Sequence, residues 1–276
     1  SLMQMPNRDR FIYQFEDLTV DCTRQLLDDN GLAALLRLAE NCQLKTRIDE
    51  MFSGATVNIT EHRPVRHMSV RTPDHLASVA YQKLSAFAES VRRNPNITTV
   101  VNLGIGGSDL GPKMVTQALA GFHDGPVCHF VGNICPTDLH DVLVTCDPHQ
   151  TLFIVTSKTF STAETIANAM MAKHWLNRHG VDAGPAMVAV TAAETRAQEW
   201  GIHPDHIFAF ADGIVGRYSV WSSVGLSVMI AIGSENFSRM LAGAYVMDRH
   251  VQHADLAQNI GVVMGLLRVW CRRYLR

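Results

Sequence analysis

A hydroxyl-rich segment that follows an apolar run has the composition of an anion-binding loop. The run Thr151–Thr156 is largely apolar and predicts a buried strand. Ser161 and Glu164 then stand three residues apart, the spacing of a capping box that opens a helix. Helix amides are expected to converge with the side-chain donors of Ser157, Lys158, Thr159, Ser161 and Thr162. Such a cluster suits a phosphate. The alternative is an ordinary turn in which serine and threonine only cap the helix.

A second candidate is the glycine-rich segment 104–112, with the sequence GIGGSDLGP, which follows a predicted strand. Its glycines would let backbone amides and the Ser108 hydroxyl approach a ligand closely, and Pro112 is expected in the first turn of a helix. The dinucleotide fingerprint fails because Asp109 replaces its third glycine, and a P-loop fails because Pro112 replaces its lysine. The alternative is a tight turn that binds nothing.

Arg217 is the third candidate, in the segment 216–226 with the sequence GRYSVWSSVGL. It follows the last predicted strand and would therefore point into the crevice formed by the two loops. A guanidinium there could stabilise negative charge that develops on a substrate oxygen. The alternative is a surface or capping residue, the usual role of an arginine before a helix.

The elements that must position these residues alternate between β-branched runs and amphipathic stretches. Strands are predicted at 98–103, Val127–Val131, Thr151–Thr156, 186–191 and 206–210, with helices near 112–120, 137–145, 161–179 and 192–200. Thr191 and Glu194 form a second capping box, and Gly201 stands where a helix C-terminal glycine belongs. This alternation predicts an α/β fold with a five-stranded parallel, doubly wound sheet and helices on both faces. Ligands bind such sheets at the carboxyl ends of the strands, where both loops lie.

The flanking sequence favours helices. Apolar residues repeat at helical spacing within the first 95 residues, with Asp74 as the cap of one helix and a turn at 94–96 as a domain boundary. Further helices are predicted over 219–232, 236–250 and 255–274. The last helix runs to Arg276 without a cap, which indicates an element that awaits a partner outside this chain.

Composition excludes several classes of function. The 276 residues are 47% hydrophobic and 18% charged, which is typical of a globular protein with a sizeable core. Because 24 basic residues are balanced by 26 acidic ones, neither nucleic acid nor a membrane surface is an expected partner. No apolar run approaches the roughly 20 residues that span a bilayer.

Cysteine usage and the amino terminus favour the cytoplasm. The six cysteines contain no C-x-x-C pair and are expected to be reduced thiols. Cys146 and His149 form a C-x-x-H pair, but no second pair of ligands lies at a usable spacing, so no metal site is expected. Ser1-Leu2-Met3 lacks the basic region of a signal peptide.

Together, the three candidate segments resemble the phosphoglucose isomerase (glucose-6-phosphate isomerase) family, specifically its amino-terminal half. The similarity is carried by residues 104–112, by 156–165 with the sequence TSKTFSTAET, and by 216–222 with the sequence GRYSVWS. Residues 58–63, NITEHR, also resemble the segment that precedes the family's first sugar-isomerase (SIS) domain. The resemblance runs in order over nearly the whole chain.

This resemblance implies a flavodoxin-like SIS domain at 96–215, an N-terminal helical segment at 1–95, and a helical segment at 216–276 that leads into a missing second SIS domain. It implies interconversion of glucose 6-phosphate and fructose 6-phosphate through a cis-enediol, in glycolysis and gluconeogenesis, without a metal or organic cofactor. The full-length protein would be a cytoplasmic homodimer. The residue roles implied are a phosphate loop of Ser157, Lys158, Thr159 and Thr162, a sugar-phosphate pocket lined by Gly107 and Ser108, and enediolate stabilisation by Arg217.

The departures from the family are equally informative. The family's general-base glutamate and its ring-opening histidine and lysine lie in the missing half, and proton transfer needs a positioned base. Ala163 stands where glutamine is usual, and 211–215 lacks the aromatic residues and one glycine that precede the family's arginine. This chain is therefore expected to be inactive alone. The alternative is a non-catalytic sugar-phosphate-binding SIS module; the failed fingerprints disfavour a nucleotide-dependent kinase or dehydrogenase.

Overall fold

The computed structural model describes residues 8–274, which divide into two compact units. The terminal unit contains the residues up to Val65 and those from Val246 onward, and the sheet unit is Arg66–Tyr245. The predictions made for Ser1-Leu2-Met3 and for the end of the last helix at Arg276 fall outside the described residues.

The terminal unit contains a β-hairpin, preceded by a 3-10 turn at Arg8–Phe11, which corrects the expectation of helices alone in this region. Strands β1 (Ile12–Phe15) and β2 (Leu18–Asp21) pair antiparallel. Tyr13 is buried whereas its neighbours in β1 are not, so the segment follows the two-residue period of a strand. Helices α1 (Asp29–Asn41) and α2 (Leu44–Ser53) follow, and they share an apolar core with the last helix of the chain.

The sheet unit contains the five expected strands. They are β3 (Thr99–Gly104), β4 (Val127–Val131), β5 (Thr151–Thr156), β6 (Met187–Thr191) and β7 (Ile207–Ala209). The remaining helices are α3 (Pro73–Leu76), α4 (Val79–Arg93), α5 (Gly107–Ala118), α6 (Pro136–Leu143), α7 (Ala163–Arg178), α8 (Ala183–Ala186), α9 (Glu194–Trp200), α10 (Leu226–Ile232), α11 (Ser234–His253) and α12 (Ile260–Tyr274).

All strand pairs of this sheet are parallel, and the strand order is β4-β3-β5-β6-β7. Alternate residues of the strands enter two separate apolar clusters, one with α4 and α10 and the other with α6 and α7. Every residue of β5 is therefore buried. The predicted fold class, a five-stranded parallel sheet with helices on both faces, is confirmed.

Several helix starts differ from the sequence predictions. Asp74 lies in the short helix α3, and α4 is capped by Ser78, whose side chain accepts a hydrogen bond from the Tyr81 amide. Thr191 does not form the second capping box, because its hydroxyl accepts from the Ala193 amide, which lies before α9. Gly201 does end α9 with a φ of 107°, as predicted.

The helix predicted over 219–232 is interrupted. Two 3-10 turns, Arg217–Trp221 and Ser223–Gly225, precede α10. Between them Ser222 has an extended backbone, and its hydroxyl donates to the Ser219 carbonyl and accepts from the Val224 amide. The serine side chain thus replaces backbone hydrogen bonds that a continuous helix would have made.

Arg92 satisfies the carboxyl end of α10. Its guanidinium donates to the Ile230 carbonyl at 2.7 Å, to the Ala231 carbonyl at 3.2 Å, and to the Asp124 carboxylate at 2.6 Å. Helix-terminal carbonyls lack partners within their own helix, and a guanidinium can supply several donors in a fixed geometry. Arg92 is therefore the residue that joins α4 to α10.

We expect Arg92→Met to lower the free energy of unfolding by about 1–3 kcal/mol, because the Ile230 carbonyl loses its arginine donor, whereas the Ala231 carbonyl still accepts from the Asp124 and Gly125 amides. Urea unfolding followed by circular dichroism would measure the change. The matched control is Arg93→Met, at an exposed position one residue away, which is expected to change the transition much less. Equal effects of the two substitutions would contradict the assigned role of Arg92.

Glu89 binds the amino end of α11. Its carboxylate accepts from the Ser234 amide at 2.9 Å and from the Ser234 hydroxyl at 2.8 Å. Burial alone would raise the pKa of Glu89, but these hydrogen bonds and the charges of Arg92 and Arg93 outweigh burial and lower it. The ionised carboxylate is therefore favoured by folding.

This lowered pKa predicts a pH dependence of stability. The contribution of Glu89 is fully present above the unfolded value of about 4.3 and is lost as the pH falls through the lower folded value. Glu89→Gln should remove that contribution, so the variant's free energy of unfolding should fall less steeply than the wild type's in acid. Denaturant titrations between roughly pH 5 and pH 3 would test this. Parallel wild-type and variant profiles would contradict it.

Candidate functional site

The two loops proposed from the sequence leave neighbouring strands at the same edge of the sheet. Gly104, the last residue of β3, is in register with Thr156, the last residue of β5. The strand order places the first and third strands of this sheet side by side, and the chain changes direction between them. In flavodoxin-like sheets this is the switch point at which ligands bind. The glycine-rich segment and the segment Ser157 to Thr162 therefore border one crevice.

Asn102 joins the elements that carry the two loops. Its side chain is completely buried (0% exposed). The amide nitrogen donates to the Ser108 carbonyl at 3.0 Å, and the amide oxygen accepts from the Thr156 hydroxyl at 3.1 Å. One side chain of β3 thus links the first turn of α5 to the end of β5.

Asn102 also explains why the predicted start of α5 is wrong. Pro112 lies inside α5, which begins at Gly107 rather than near the proline. A proline has no N–H, so it cannot donate to the carbonyl four residues before it, which here is that of Ser108. The Asn102 amide supplies the missing donor at that carbonyl.

Glycines of this segment allow Arg217 to approach closely. A Cβ atom at Gly107 would lie 2.4 Å from the Gly216 carbonyl carbon, and one at Gly111 would lie 2.1 Å from the Arg217 carbonyl oxygen. Neither distance is sterically possible for a larger residue. The glycine-rich segment and the segment that carries Arg217 are therefore in direct backbone contact, as expected for parts of one site.

The hydroxyls of the second loop interact with one another. Ser157 is 2% exposed, and its hydroxyl lies 3.1 Å from that of Thr162. The Ser161 hydroxyl donates to the Thr159 hydroxyl at 2.8 Å. Because Ser161 is engaged there and lies outside the helix, the predicted capping box with Glu164 does not form.

The start of α7 is not capped by its N-cap side chain. Thr162 is the N-cap residue, and its hydroxyl accepts no hydrogen bond from the first turn of α7. Free amides at a helix start attract anions. The alternative in which these hydroxyls only cap the helix is therefore not what the structure contains.

The β6–α9 connection holds the backbone of this loop, a support that the sequence analysis missed. The Lys158 carbonyl accepts from the Ala192 amide at 3.0 Å and from the Thr191 hydroxyl at 3.2 Å. The Thr159 carbonyl accepts from the Arg196 guanidinium at 3.1 Å. These contacts join residues more than 30 positions apart, and no local sequence signal marks them.

Phe160 is a further residue that the sequence analysis did not single out. It has a left-handed backbone with a φ of 47°, which is unusual for a residue other than glycine. Its ring is buried and lies edge-on to Trp200 of α9, with centroids 6.1 Å apart. Packing of the ring against α9 compensates for the strained backbone.

Lys158 has a protein partner. Its ammonium donates to the Asp212 main-chain carbonyl at 3.0 Å and forms an ion pair with the Asp212 carboxylate. The Lys158 side chain is 27% exposed and that of Asp212 is 72% exposed. Lys158 therefore connects the hydroxyl-rich loop to the segment 211–215, which leads to Arg217.

The segment before Arg217 is held from the other side by residues 66 and 67. The Arg66 amide donates to the Gly213 carbonyl at 3.0 Å, and His67 Nε2 lies 2.7 Å from the Val215 carbonyl oxygen. Arg217 itself is exposed at the start of a 3-10 turn, with its guanidinium 4.9 Å from the Tyr218 ring centroid. A cation is thus presented at the surface of the segment that contacts the glycines.

One buried carboxyl lies beside the crevice. Asp109 follows Ser108 in α5, and its Oδ1 atom has no hydrogen-bond partner within the described residues. Burial raises the pKa of Asp109, and Asp138 adds to this, whereas the charge of Lys113 opposes it. A Cβ atom on Gly132 would lie 2.7 Å from this carboxyl, so Asp109 is enclosed by the end of β4.

Within residues 8–274 we find no cluster of three histidine, cysteine, aspartate or glutamate side chains arranged to hold a metal ion. All six cysteines are free. In the same part of the chain, no helix has both the length and the apolar character needed to cross a bilayer.

The strand order and the position of the two loops at the switch point define an α/β protein with a flavodoxin-like parallel sheet. The family model of phosphoglucose isomerase matches residues 21–275, and the chain belongs to that family. The family resemblance of the candidate segments is thereby confirmed.

Individual relatives agree with this assignment. The chain is 42% identical to the glucose-6-phosphate isomerase of Ruegeria sp. (strain TM1040), over 92% of this chain and 51% of the relative. It is also 42% identical to that of Helicobacter pylori (strain G27), over 95% of this chain and 52% of the relative. The chain therefore spans about half the length of these relatives.

A solved structure supports the fold over the same extent. The crystal structure of a glucose-6-phosphate isomerase from Chlamydia trachomatis D/UW-3/Cx superposes with a TM-score of 0.87 at 28% identity. The match covers 99% of this chain and 57% of that chain.

We expect Asn102→Leu to lower the free energy of unfolding by about 1–3 kcal/mol, because a leucine of similar size leaves the Ser108 carbonyl without a donor. Hydrogen exchange of the amides at 105–108 should also accelerate. The matched control is Asn96→Leu, at an exposed turn position, which is expected to alter neither measurement at the loop. Unchanged exchange at 105–108 in the Asn102 variant would show that Asn102 does not hold the glycine-rich segment.

Proposed function

We propose that this protein is the amino-terminal portion of an aldose–ketose isomerase that interconverts glucose 6-phosphate and fructose 6-phosphate. The observation that carries the proposal is the hydroxyl-rich loop at the uncapped start of α7, at the same sheet edge as the glycine-rich segment in contact with Gly216 and Arg217. Membership of the phosphoglucose isomerase family supports the substrate class. No metal or organic cofactor is required by the proposed reaction.

The proposed roles follow from the chemistry of each group. Ser157, Thr159 and Thr162 bind phosphate oxygens through their hydroxyls, Lys158 contributes its ammonium, and the first amides of α7 complete the loop. Gly107 and Ser108 line the sugar-phosphate pocket, and the absence of a side chain at Gly107 leaves room for the backbone of Gly216.

Arg217 acts on the reaction intermediate in this proposal. Transfer of a proton between C1 and C2 passes through a cis-enediol, and its enediolate form carries negative charge on oxygen. Arg217 is exposed and its main chain contacts the glycine-rich segment, so its guanidinium is available to stabilise that charge. The general base and the ring-opening histidine and lysine are proposed to lie in the part of the enzyme that this chain lacks.

We further propose that the SIS domain occupies 96–215, with the segment 1–95 before it and 216–276 leading into a second SIS domain. The full-length enzyme would be a cytoplasmic homodimer that acts in glycolysis and gluconeogenesis.

A second candidate function is a non-catalytic sugar-phosphate-binding module, which the same loop supports because binding alone requires no base. Reading the coding sequence beyond the codon for Arg276 distinguishes the two, since an open frame with a base-carrying segment indicates the enzyme.

Binding of glucose 6-phosphate to the purified chain tests the proposal directly. We expect Ser157→Ala and Thr162→Val each to weaken binding roughly tenfold or more, because each removes a hydrogen bond to a charged phosphate. Isothermal titration calorimetry would measure the dissociation constants. The matched control, Ser238→Ala in α11, should bind like the wild type, and equal binding by all four proteins would refute the phosphate loop.

The same preparation tests the prediction that the chain is inactive alone. A coupled assay of fructose 6-phosphate formation should show negligible turnover, because the proposed base lies outside this chain. The control is protein expressed in a host that lacks its own glucose-6-phosphate isomerase. Robust turnover by that protein would contradict the prediction that the chain is inactive alone, but it would not affect the family assignment.

A further inference from the structure

Lys158 is shared between the hydroxyl-rich loop and the segment 211–215. Its main-chain carbonyl is fixed by the Thr191 hydroxyl and the Ala192 amide, so the start of its side chain is held in the loop. Its ammonium, at the other end, contacts both the main-chain carbonyl and the carboxylate of Asp212. The Lys158 side chain therefore reaches from the proposed phosphate loop to the segment 211–215, which leads to Arg217.

The donors of this ammonium are limited. A lysine ammonium has three N–H groups, and in this geometry two of them face oxygen atoms of Asp212. A phosphate bound among the loop hydroxyls and the ammonium would also place a second anion near the Asp212 carboxylate. Because like charges repel, the Asp212 carboxylate opposes the binding of a phosphate at this ammonium.

We propose that Asp212 is a positioning residue that competes with phosphate for the Lys158 ammonium. When phosphate binds, the contact between Lys158 and Asp212 weakens, and the segment 211–215 that leads to Arg217 is held less firmly. This inference rests on the proposed function of the hydroxyl-rich loop. The hydrogen bond from the Arg66 amide to the Gly213 carbonyl and the contact of His67 with the Val215 carbonyl do not involve Lys158. They are expected to keep Gly213 and Val215 in place. The structural change is therefore expected to be local to residues 211–217.

The test uses Asp212→Asn, which removes the charge but keeps the main-chain carbonyl and a similar shape. We expect it to tighten binding of both glucose 6-phosphate and inorganic phosphate by roughly two- to fivefold at low salt, the range of an exposed ion pair. The gain should shrink as salt is added, because salt screens exposed charges. The matched control is Asp205→Asn. Asp205 belongs to the same unit but lies near His203 and not near Lys158, so this substitution should leave phosphate binding unchanged.

A double-mutant cycle separates competition for Lys158 from general repulsion. In a Lys158→Met background, Asp212→Asn should no longer tighten binding, because the ammonium for which it competes is gone. A gain that persists without Lys158, or no gain at all, would overturn the inference. Circular dichroism spectra of each variant would establish that the compared proteins are folded.

Amide hydrogen exchange is a second measurement, and it distinguishes competition for Lys158 from a purely structural role of Asp212. A purely structural role would not make exchange at 211–215 depend on the ligand. In the wild type, saturating glucose 6-phosphate should accelerate exchange at 211–215, and in Asp212→Asn exchange there should already be fast and respond less to the ligand. Wild-type binding without any change at 211–215 would refute the inference but leave the proposed function standing. Failure of the wild type to bind either anion would refute the proposed function, and this inference with it.

Discussion

The structure of the candidate site depends on one buried amide. Asn102 lies in the middle of a parallel sheet, where an unpaired polar group is costly, and both ends of its side-chain amide are used. Its donor replaces the N–H that Pro112 lacks, and its acceptor fixes the Thr156 hydroxyl at the point where the hydroxyl-rich loop begins. The two loops are therefore not independent turns, because both are held by the same residue of β3. Their separation is set by the spacing of two hydrogen-bonded strands.

This arrangement shows which parts of the fold were predictable. The inner strands β3, β5 and β6 are buried on both faces, so the sequence of β5 is a continuous apolar run between polar turns. Once five such runs alternate with helices, the connections and the position of the crevice follow from general rules of chain topology. Both loops could be placed at the carboxyl edge of the sheet on this basis. The hairpin β1–β2 was missed because it is short and only Tyr13 of β1 is buried.

Several of the details that failed involve side chains whose hydrogen-bond partners differ from those that the sequence spacing suggests. Pro112 has the usual signature of a first-turn residue, and only the distant Asn102 allows it to stand inside a helix. Ser161 and Glu164 have capping-box spacing, but the Ser161 hydroxyl is taken by Thr159, and the backbone of the loop is held by Arg196 and Thr191 from another connection. Local spacing describes what a segment can do alone. It carries no record of donors that arrive from other strands, so the supports of the loop were invisible before the structure was known.

The same contacts decide how the loop can recognise an anion. Exposed ion pairs contribute about 0.2–1 kcal/mol, and the Lys158 ammonium is already paired with Asp212. Each hydrogen bond to a charged group is worth roughly 1.5–3 kcal/mol, so several oriented hydroxyls and amides outweigh the net effect of this lysine. Recognition by such donors depends on their directions, and their directions depend on the backbone. In the proposed phosphate site, the hydrogen bonds from the β6–α9 connection to the Lys158 and Thr159 carbonyls, together with the packing of Phe160 against Trp200, would therefore determine selectivity for a tetrahedral anion more than the local charge would.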